Sequence, residues 1–221
     1  MTEANELSRL REMYVFENEE LRGNKKIICG IDEAGRGPLA GPVVSSAVVL
    51  PILESEESFL EWVGLNDSKK LSAKKRERLH EVLFNHPNVR IGIGIVSEKT
   101  IDDINILKAT QVSMRKAIEN LGLEPDCLLV DGINLPGVKH YQRKIIGGDA
   151  LSLSVAAASV IAKVTRDAIM TDLHEKYPQY GFNKHKGYGT KEHIKNIRLH
   201  GPCEIHRKTF YPISLSGEIG V

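Results

Sequence analysis

Only three cysteines occur in 221 residues, and Cys29, Cys127 and Cys203 lie far apart with no CxxC pair among them. So sparse and odd a set excludes a secreted disulfide scaffold and fits a reducing compartment. Long hydrophobic runs are missing as well. The longest charge-free apolar stretch lies between Asp149 and Lys163, short of the roughly 20 residues a membrane span needs. The opening MTEANELSRLRE has neither a basic nor an apolar leader segment, so no signal peptide is expected. Nor is there a surplus of one charge: 30 Lys and Arg against 29 Asp and Glu give a formal net charge of +1. Total charge therefore names no partner. Walker A, GxGxxG and HExxH patterns are absent, which removes the simplest nucleotide-binding and zinc-hydrolase readings. Hydrophobic residues at 41% and charged residues at 27% exclude a disordered or fibrous chain. The expectation is a soluble cytoplasmic protein, with no membrane contact and with a core that needs no disulfide or metal staple.

The order of apolar and polar segments reads as one α/β domain over 1–221. An acidic leading helix occupies 1–25, an α/β core 26–179 and a basic lobe 180–221. The helix is expected over 4–22, with Leu7, Leu10, Tyr14 and Leu21 on one face and Gly23 ending it. Short apolar runs at 27–31 and 127–130 read as strands covered on both faces, and 43–50 and 91–95 as further strands. A polar strand or loop is expected over 139–146. Ser72 is placed to cap a helix reaching about Asn85, Thr100 and Asp103 resemble a capping box for the next, and an alanine-rich helix is expected over 151–176. From Tyr180 to Phe210 seven Lys and Arg face only Glu192 and Glu204, and four histidines join them.

Both buried strand candidates end in acid, Asp32 and Glu33 after IICGI and Asp131 after CLLV. Neighbouring strands of one sheet would bring these carboxylates together. Asp149, just before the long helix, is compatible with a helix N-cap or with a fourth member of the cluster, and Asp131-Gly132 also suits an ordinary turn. Like charges about 4 Å apart repel by roughly 4 kcal/mol at an effective dielectric of 20. A cluster of this kind persists when some groups stay protonated or a cation sits among them. Oxygen-only ligands favour Mg²⁺ or Mn²⁺, and a pair of such ions is a standard device for hydrolysing phosphodiesters. Within the basic lobe, Tyr180 to Gly189 interleaves Lys184 and Lys186 with glycines and aromatics, including Tyr188. Lysines for phosphates beside rings for sugar or base form a nucleic-acid footprint. The other histidines read mostly as solvent or phosphate contacts, and the basic residues at 69–78 as a charged helix face.

Five motifs in order then carry a specific resemblance. They are GIDEAGRGPLAGPVV at 30–44, NDSKKLS at 66–72, LLVDG at 128–132, GGDALSLSVAAASVIAKVTRD at 147–167 and YGFNKHKGYGT at 180–190. Together the chain resembles ribonuclease HII, the bacterial type 2 ribonuclease H, over about 27–212. The resemblance implies a ribonuclease H-like mixed β-sheet flanked by helices, with a helical C-terminal lobe. It implies metal-binding catalytic acids at Asp32, Glu33, Asp131 and Asp149, and two Mn²⁺ or Mg²⁺ ions during catalysis. It further implies substrate contacts at Gly35, Arg36, Gly37 and Tyr188, to which the basic footprint adds Lys184 and Lys186. The implied activity is endonucleolytic cleavage of the RNA strand in RNA–DNA hybrids and at ribonucleotides embedded in duplex DNA, leaving 5′-phosphate and 3′-hydroxyl ends. Such an enzyme works as a monomer on nucleic acid, in replication and repair. A non-catalytic duplex-binding protein would leave the acids unexplained, because carboxylates repel phosphates unless a cation mediates. Another nuclease or phosphotransferase on a similar sheet would not call for the glycine-arginine-glycine turn with the downstream tyrosine.

Overall fold

The continuously apolar runs of the sequence become the middle of a five-stranded sheet. A computed structural model describes residues 2–215; Met1 and residues 216–221, the ends of the expected 1–221 span, lie outside the described residues. In chain order the elements are α1 (Glu3–Met13), α2 (Val15–Arg22), β1 (Ile28–Ala34), β2 (Val43–Val49), α3 (Glu56–Leu60), α4 (Ala73–Asn85), β3 (Arg90–Val96) and α5 (Glu98–Ile104). They continue with α6 (Ile106–Glu119), β4 (Cys127–Asp131), β5 (Gln142–Ile145), α7 (Gly148–Leu151), α8 (Leu153–Lys176), α9 (Phe182–His185) and α10 (Lys191–His200).

The sheet order is β3-β2-β1-β4-β5. β1, β2 and β3 form an antiparallel meander, whereas β4 and β5 run parallel to β1. Parallel pairing requires crossovers, and it leaves both faces of β1 and β4 covered. On one face Cys29 and Ile31 pack with Leu128, Val130 and with Met114 and Ala117 of α6. On the other, α8 lies directly on Gly30, where an added Cβ would stand 2.1 Å from the Ser154 carbonyl carbon. Only glycine allows that approach, which is why an alanine-rich helix can lie flat against a glycine-bearing strand. A separate apolar cluster holds the C-terminal lobe, built on Leu39, Met170, Tyr180, Phe182 and Ile197.

Three expected elements are split or shifted. The single leading helix is two, because Tyr14 leaves helical geometry at φ −100°, ψ 11°. Its ring packs edge-on to Phe59 and its hydroxyl accepts the Leu53 amide at 3.2 Å, tertiary contacts that outweigh helix continuation. The expected Thr100–Asp103 capping box is not used. Ser97 caps α5, and Asn105, at φ +68°, ends that helix and caps α6 through Oδ1 to the Lys108 amide. The alanine-rich helix likewise begins at Leu153, after an extended Ser152 separates it from α7.

Candidate active site

The parallel register sets the first pair of acids. Ile31 lies opposite Val130, so the next residues along, Asp32 and Asp131, leave adjacent strands side by side. Asp131 then captures the following turn: its Oδ1 accepts the Gly148 amide at 2.6 Å. That bond brings Asp149 to the same sheet end. Asp149 is not an N-cap, because Gly147 occupies that position and Asp149 lies in the first turn of α7. The turn is pinned from behind by α2, where Glu17 Oε1 accepts both hydroxyls of Ser152 and Ser154 and the Ser154 amide.

Burial and crowding act together on these groups. Asp32 is 3% exposed. Burial first, then the charges of Glu33 and Asp131, push its carboxyl well above the usual range. Burial also raises Glu33, partly offset by Arg36, whose guanidinium stands 3.4 Å away. Burial first, then the charge of Asp67, raise the Asp149 carboxyl, with Lys69 opposing. Lys69 is 3.4 Å from Asp149. Burial opposes its charge, but Asp149, Asp32 and Asp67 outweigh that and raise its pKa. Asp67 and Lys69 were not among the expected site residues. Their signal was the NDSKKLS segment, in which Lys69 and Lys70 form a separate 3₁₀ turn rather than part of α4.

Among the described residues no group of three or more His, Cys, Asp or Glu side chains already stands in a metal-holding arrangement. The donor chemistry nevertheless fits a hard divalent cation. The four acids offer oxygen alone, three of them are destabilised as anions by burial, and Glu33 Oε2 is buried without a hydrogen-bond partner. A hard cation would give such an oxygen a partner.

The substrate-loop residues border the acids. Glu33, Gly35, Arg36, Gly37, Lys69, Lys163 and Tyr188 line one groove of about 510 Å³. Tyr188 is 43% exposed, with Lys163 Nζ 5.8 Å and Arg166 Cζ 5.9 Å from its ring centre. A Cβ at Gly37 would meet nothing within 4 Å, so the protein's own packing does not demand glycine there. Lys163 and Tyr188 also border a second groove of about 670 Å³, which contains Arg76, Lys184 and Lys186. There Lys184 pairs with Glu192 at 3.2 Å, and Lys186 donates to Thr171 Oγ1 and the Asn183 carbonyl.

The histidine expectation is corrected for two of the four in the basic lobe. His193 and His206 are 0% and 1% exposed, with their Nε2 atoms 3.1 Å apart. Nδ1 of His193 faces the Tyr188 carbonyl, whereas Nδ1 of His206 accepts the Cys203 amide. Both rings are therefore neutral with fixed tautomers: His193 carries its proton on Nδ1, and His206 donates through Nε2. Burial lowers each pKa to about 4. Phe182 packs against both rings, and aromatic contacts of this kind bury the imidazoles as core.

Comparison with known proteins identifies the family and the fold. The family model for Ribonuclease HII matches residues 29–212. The chain is similar to a ribonuclease HII of Acetivibrio thermocellus, 53% identical over 205 residues that cover 93% of this chain and 77% of that protein. A Chlamydia caviae ribonuclease HII is 52% identical over 199 residues, covering 90% and 91%. Among solved structures, ribonuclease H2 from Pyrococcus horikoshii superposes with a TM-score of 0.67 at 27% identity, covering 85% of this chain and 95% of that one. The mixed sheet with flanking helices is thus the ribonuclease H-like α/β fold that the motifs implied.

Proposed function

The chain belongs to the ribonuclease HII family, ribonuclease H endonucleases acting on RNA–DNA hybrids, and on that premise we propose a metal-dependent cleavage mechanism for its site. The proposed substrates are RNA–DNA hybrids and duplex DNA with embedded ribonucleotides, cut to leave 5′-phosphate and 3′-hydroxyl ends. The observation that carries the reading is the convergence of Asp32, Glu33, Asp131 and Asp149, through the β1–β4 register and the Asp131–Gly148 bond. These four residues would hold Mn²⁺ or Mg²⁺. Two such ions, when bound, supply an activated water and stabilise charge on the departing 3′-oxygen.

The chain's own groups do the rest. Asp131 orients the turn that carries Asp149, and burial keeps bulk water from competing for the carboxylates. Arg36, 44% exposed at its side chain and loosely held by Glu33, is free to turn to a phosphate beside the cut. Acids cannot distinguish RNA from DNA, so the sugar is read by Gly35, Arg36 and Gly37 at close range, against the 2′-hydroxyl. Tyr188, with Lys163 beside it, suits the following sugar and its phosphate. Lys184 and Lys186 in the second groove suit phosphates further along, once they exchange their present partners.

Residues 1–25 would then brace the core from outside the site, and the lobe from 180 onward would bind the duplex. We place the working enzyme in the cytoplasm as a monomer. Among the described residues, no helix is long and apolar enough to cross a membrane. The test is a DNA duplex with one ribonucleotide, incubated with and without Mg²⁺ or Mn²⁺ beside an all-DNA control. Cleavage at the ribonucleotide only, and only with metal, is expected; cleavage in EDTA or of the control would overturn the reading.

A further inference from the structure

Two arginines of this fold are buried without a carboxylate. Arg166 and Arg207 are both 0% exposed, and among the described residues every hydrogen bond they make goes to main-chain oxygen. Arg166 donates from Nε to Pro42 at 2.9 Å, from Nη1 to Lys186 at 3.0 Å and from Nη2 to Ala40 at 3.1 Å. Arg207 donates from Nε to Gly41 at 3.0 Å and from Nη1 to Arg36 at 2.9 Å. Its Nη2 reaches Gly35 at 2.6 Å, Gly41 at 2.8 Å and Pro42 at 3.2 Å. Burying an unpaired charge is expensive, and two together more so, since each raises the cost of the other. For stability alone, apolar side chains of similar volume often serve as well. What the guanidinium uniquely provides is a rigid fork of five donors, matched here to the carbonyls of Gly35, Arg36, Ala40, Gly41 and Pro42.

The consequence is directional. In a trans peptide the C=O and the following N–H point opposite ways. Arg207 draws the carbonyls of Gly35 and Arg36 inward, so the amides of Arg36 and Gly37 are turned away from it as two successive outward donors. Successive main-chain donors of this kind form a concavity for an oxygen or anion. The loop is packed directly on the arginines: at Gly35, φ +98°, a Cβ would stand 2.1 Å from Arg166 Nε. At Gly37 the space beside the backbone is open. Main-chain bonds from Leu39 to Gly187 and from Arg207 to Leu39 tie the same loop to the lobe that carries Tyr188.

We propose that Arg207, braced by Arg166, is a positioning residue for ribose selectivity, turning the Arg36 and Gly37 amides outward as the donor pair that reads the 2′-oxygen. This rests on the endonuclease reading above. Two measurements test it, both on the full chain with Ca²⁺ in place of Mg²⁺. In the first, fluorescence anisotropy compares affinity for a single-ribonucleotide duplex and for the same duplex in all DNA. Arg207→Lys keeps the charge but not the fork. It should cut the preference for the ribonucleotide about 10-fold while all-DNA affinity stays within about 2-fold, and Arg166→Lys should do the same more weakly. Equal loss on both duplexes, or an unchanged preference, would overturn the proposal. The second needs no variant: amide exchange in the wild-type protein should slow at Arg36 and Gly37 with the ribonucleotide duplex and not with all DNA. Equal protection by both, or by neither, would overturn it. Wild-type protein that fails to cleave the ribonucleotide duplex when Mg²⁺ or Mn²⁺ replaces Ca²⁺ would instead sink the endonuclease reading itself.

Discussion

Glu17, near the start of the chain, accepts the Ser152 hydroxyl at 2.6 Å, although the whole sheet lies between them in sequence. The same oxygen takes the Ser154 amide at 2.9 Å and hydroxyl at 2.7 Å. The leading acidic segment therefore grips the break between α7 and α8, three residues from Asp149. Burial raises the Glu17 carboxyl above its usual range, and the bonds from Ser152 and Ser154 offset part of that rise. Glu17→Ala removes the acceptor that three buried donors share, leaving the Ser152 and Ser154 hydroxyls only each other at 3.2 Å, and should cost about 1–3 kcal/mol. Urea denaturation measures it; a loss within error would mean that water replaces Glu17 at no cost.

The repulsion among the acids makes a signed prediction. Asp32→Asn removes a charge whose burial and neighbours oppose it, so in EDTA the variant should melt at or above the wild-type temperature. Its turnover should fall by about 10²-fold or more, since an electrostatic element of the reaction is removed. Full activity in saturating Mn²⁺ would refute the role, and a clearly lowered melting temperature in EDTA would refute the repulsion.

The His193–His206 pair makes stability depend on pH. Both have folded-state pKa values near 4, below the ordinary value of about 6.5. Protons thus bind the unfolded chain preferentially. The contribution is fully present above about pH 6.5 and is lost as pH falls toward 4, by about 1–2 kcal/mol for each ring at pH 5. His206→Leu should flatten the stability slope between pH 6.5 and 4.5. A slope equal to wild type would show that these rings do not titrate there.

Lys184 and Lys186 should hold duplex phosphates through the second groove. Replacing both with Ala should lower the salt slope of duplex binding by roughly one unit for each phosphate left without its lysine. An unchanged slope would move the duplex toward the basic residues at 69–78.

Much of this site was legible because it lies on continuous signals. The runs 27–31 and 127–130 are apolar without a break, and each ends in acid, so the strands and the candidate site could be read together. Strand order could not, since nothing local in CLLVD says that β4 pairs with β1. The helix breaks at Tyr14 and Ser152 were hidden for a related reason: each residue is drawn out of helical geometry, or capped, by a partner distant in sequence, Phe59 or Glu17. Asp67 was passed over although NDSKKLS marked its segment, because a lone carboxylate after asparagine reads as a turn. His193 and His206 misled by type, because imidazole in a basic lobe suggests solvent until Phe182 and Cys203 are seen around it.

Whether the four carboxylates form one metal site is decided by calorimetric titration with Mn²⁺. Wild-type protein should bind Mn²⁺, and Asp32→Asn, Glu33→Gln, Asp131→Asn and Asp149→Asn should each weaken that binding by about tenfold or more, equivalent to about 1.4 kcal/mol. Saturating metal should also raise wild-type stability by about 2.7 kcal/mol per independent site at 100 times its Kd. Four variants that bind Mn²⁺ as wild type does would show that the acids do not form such a site.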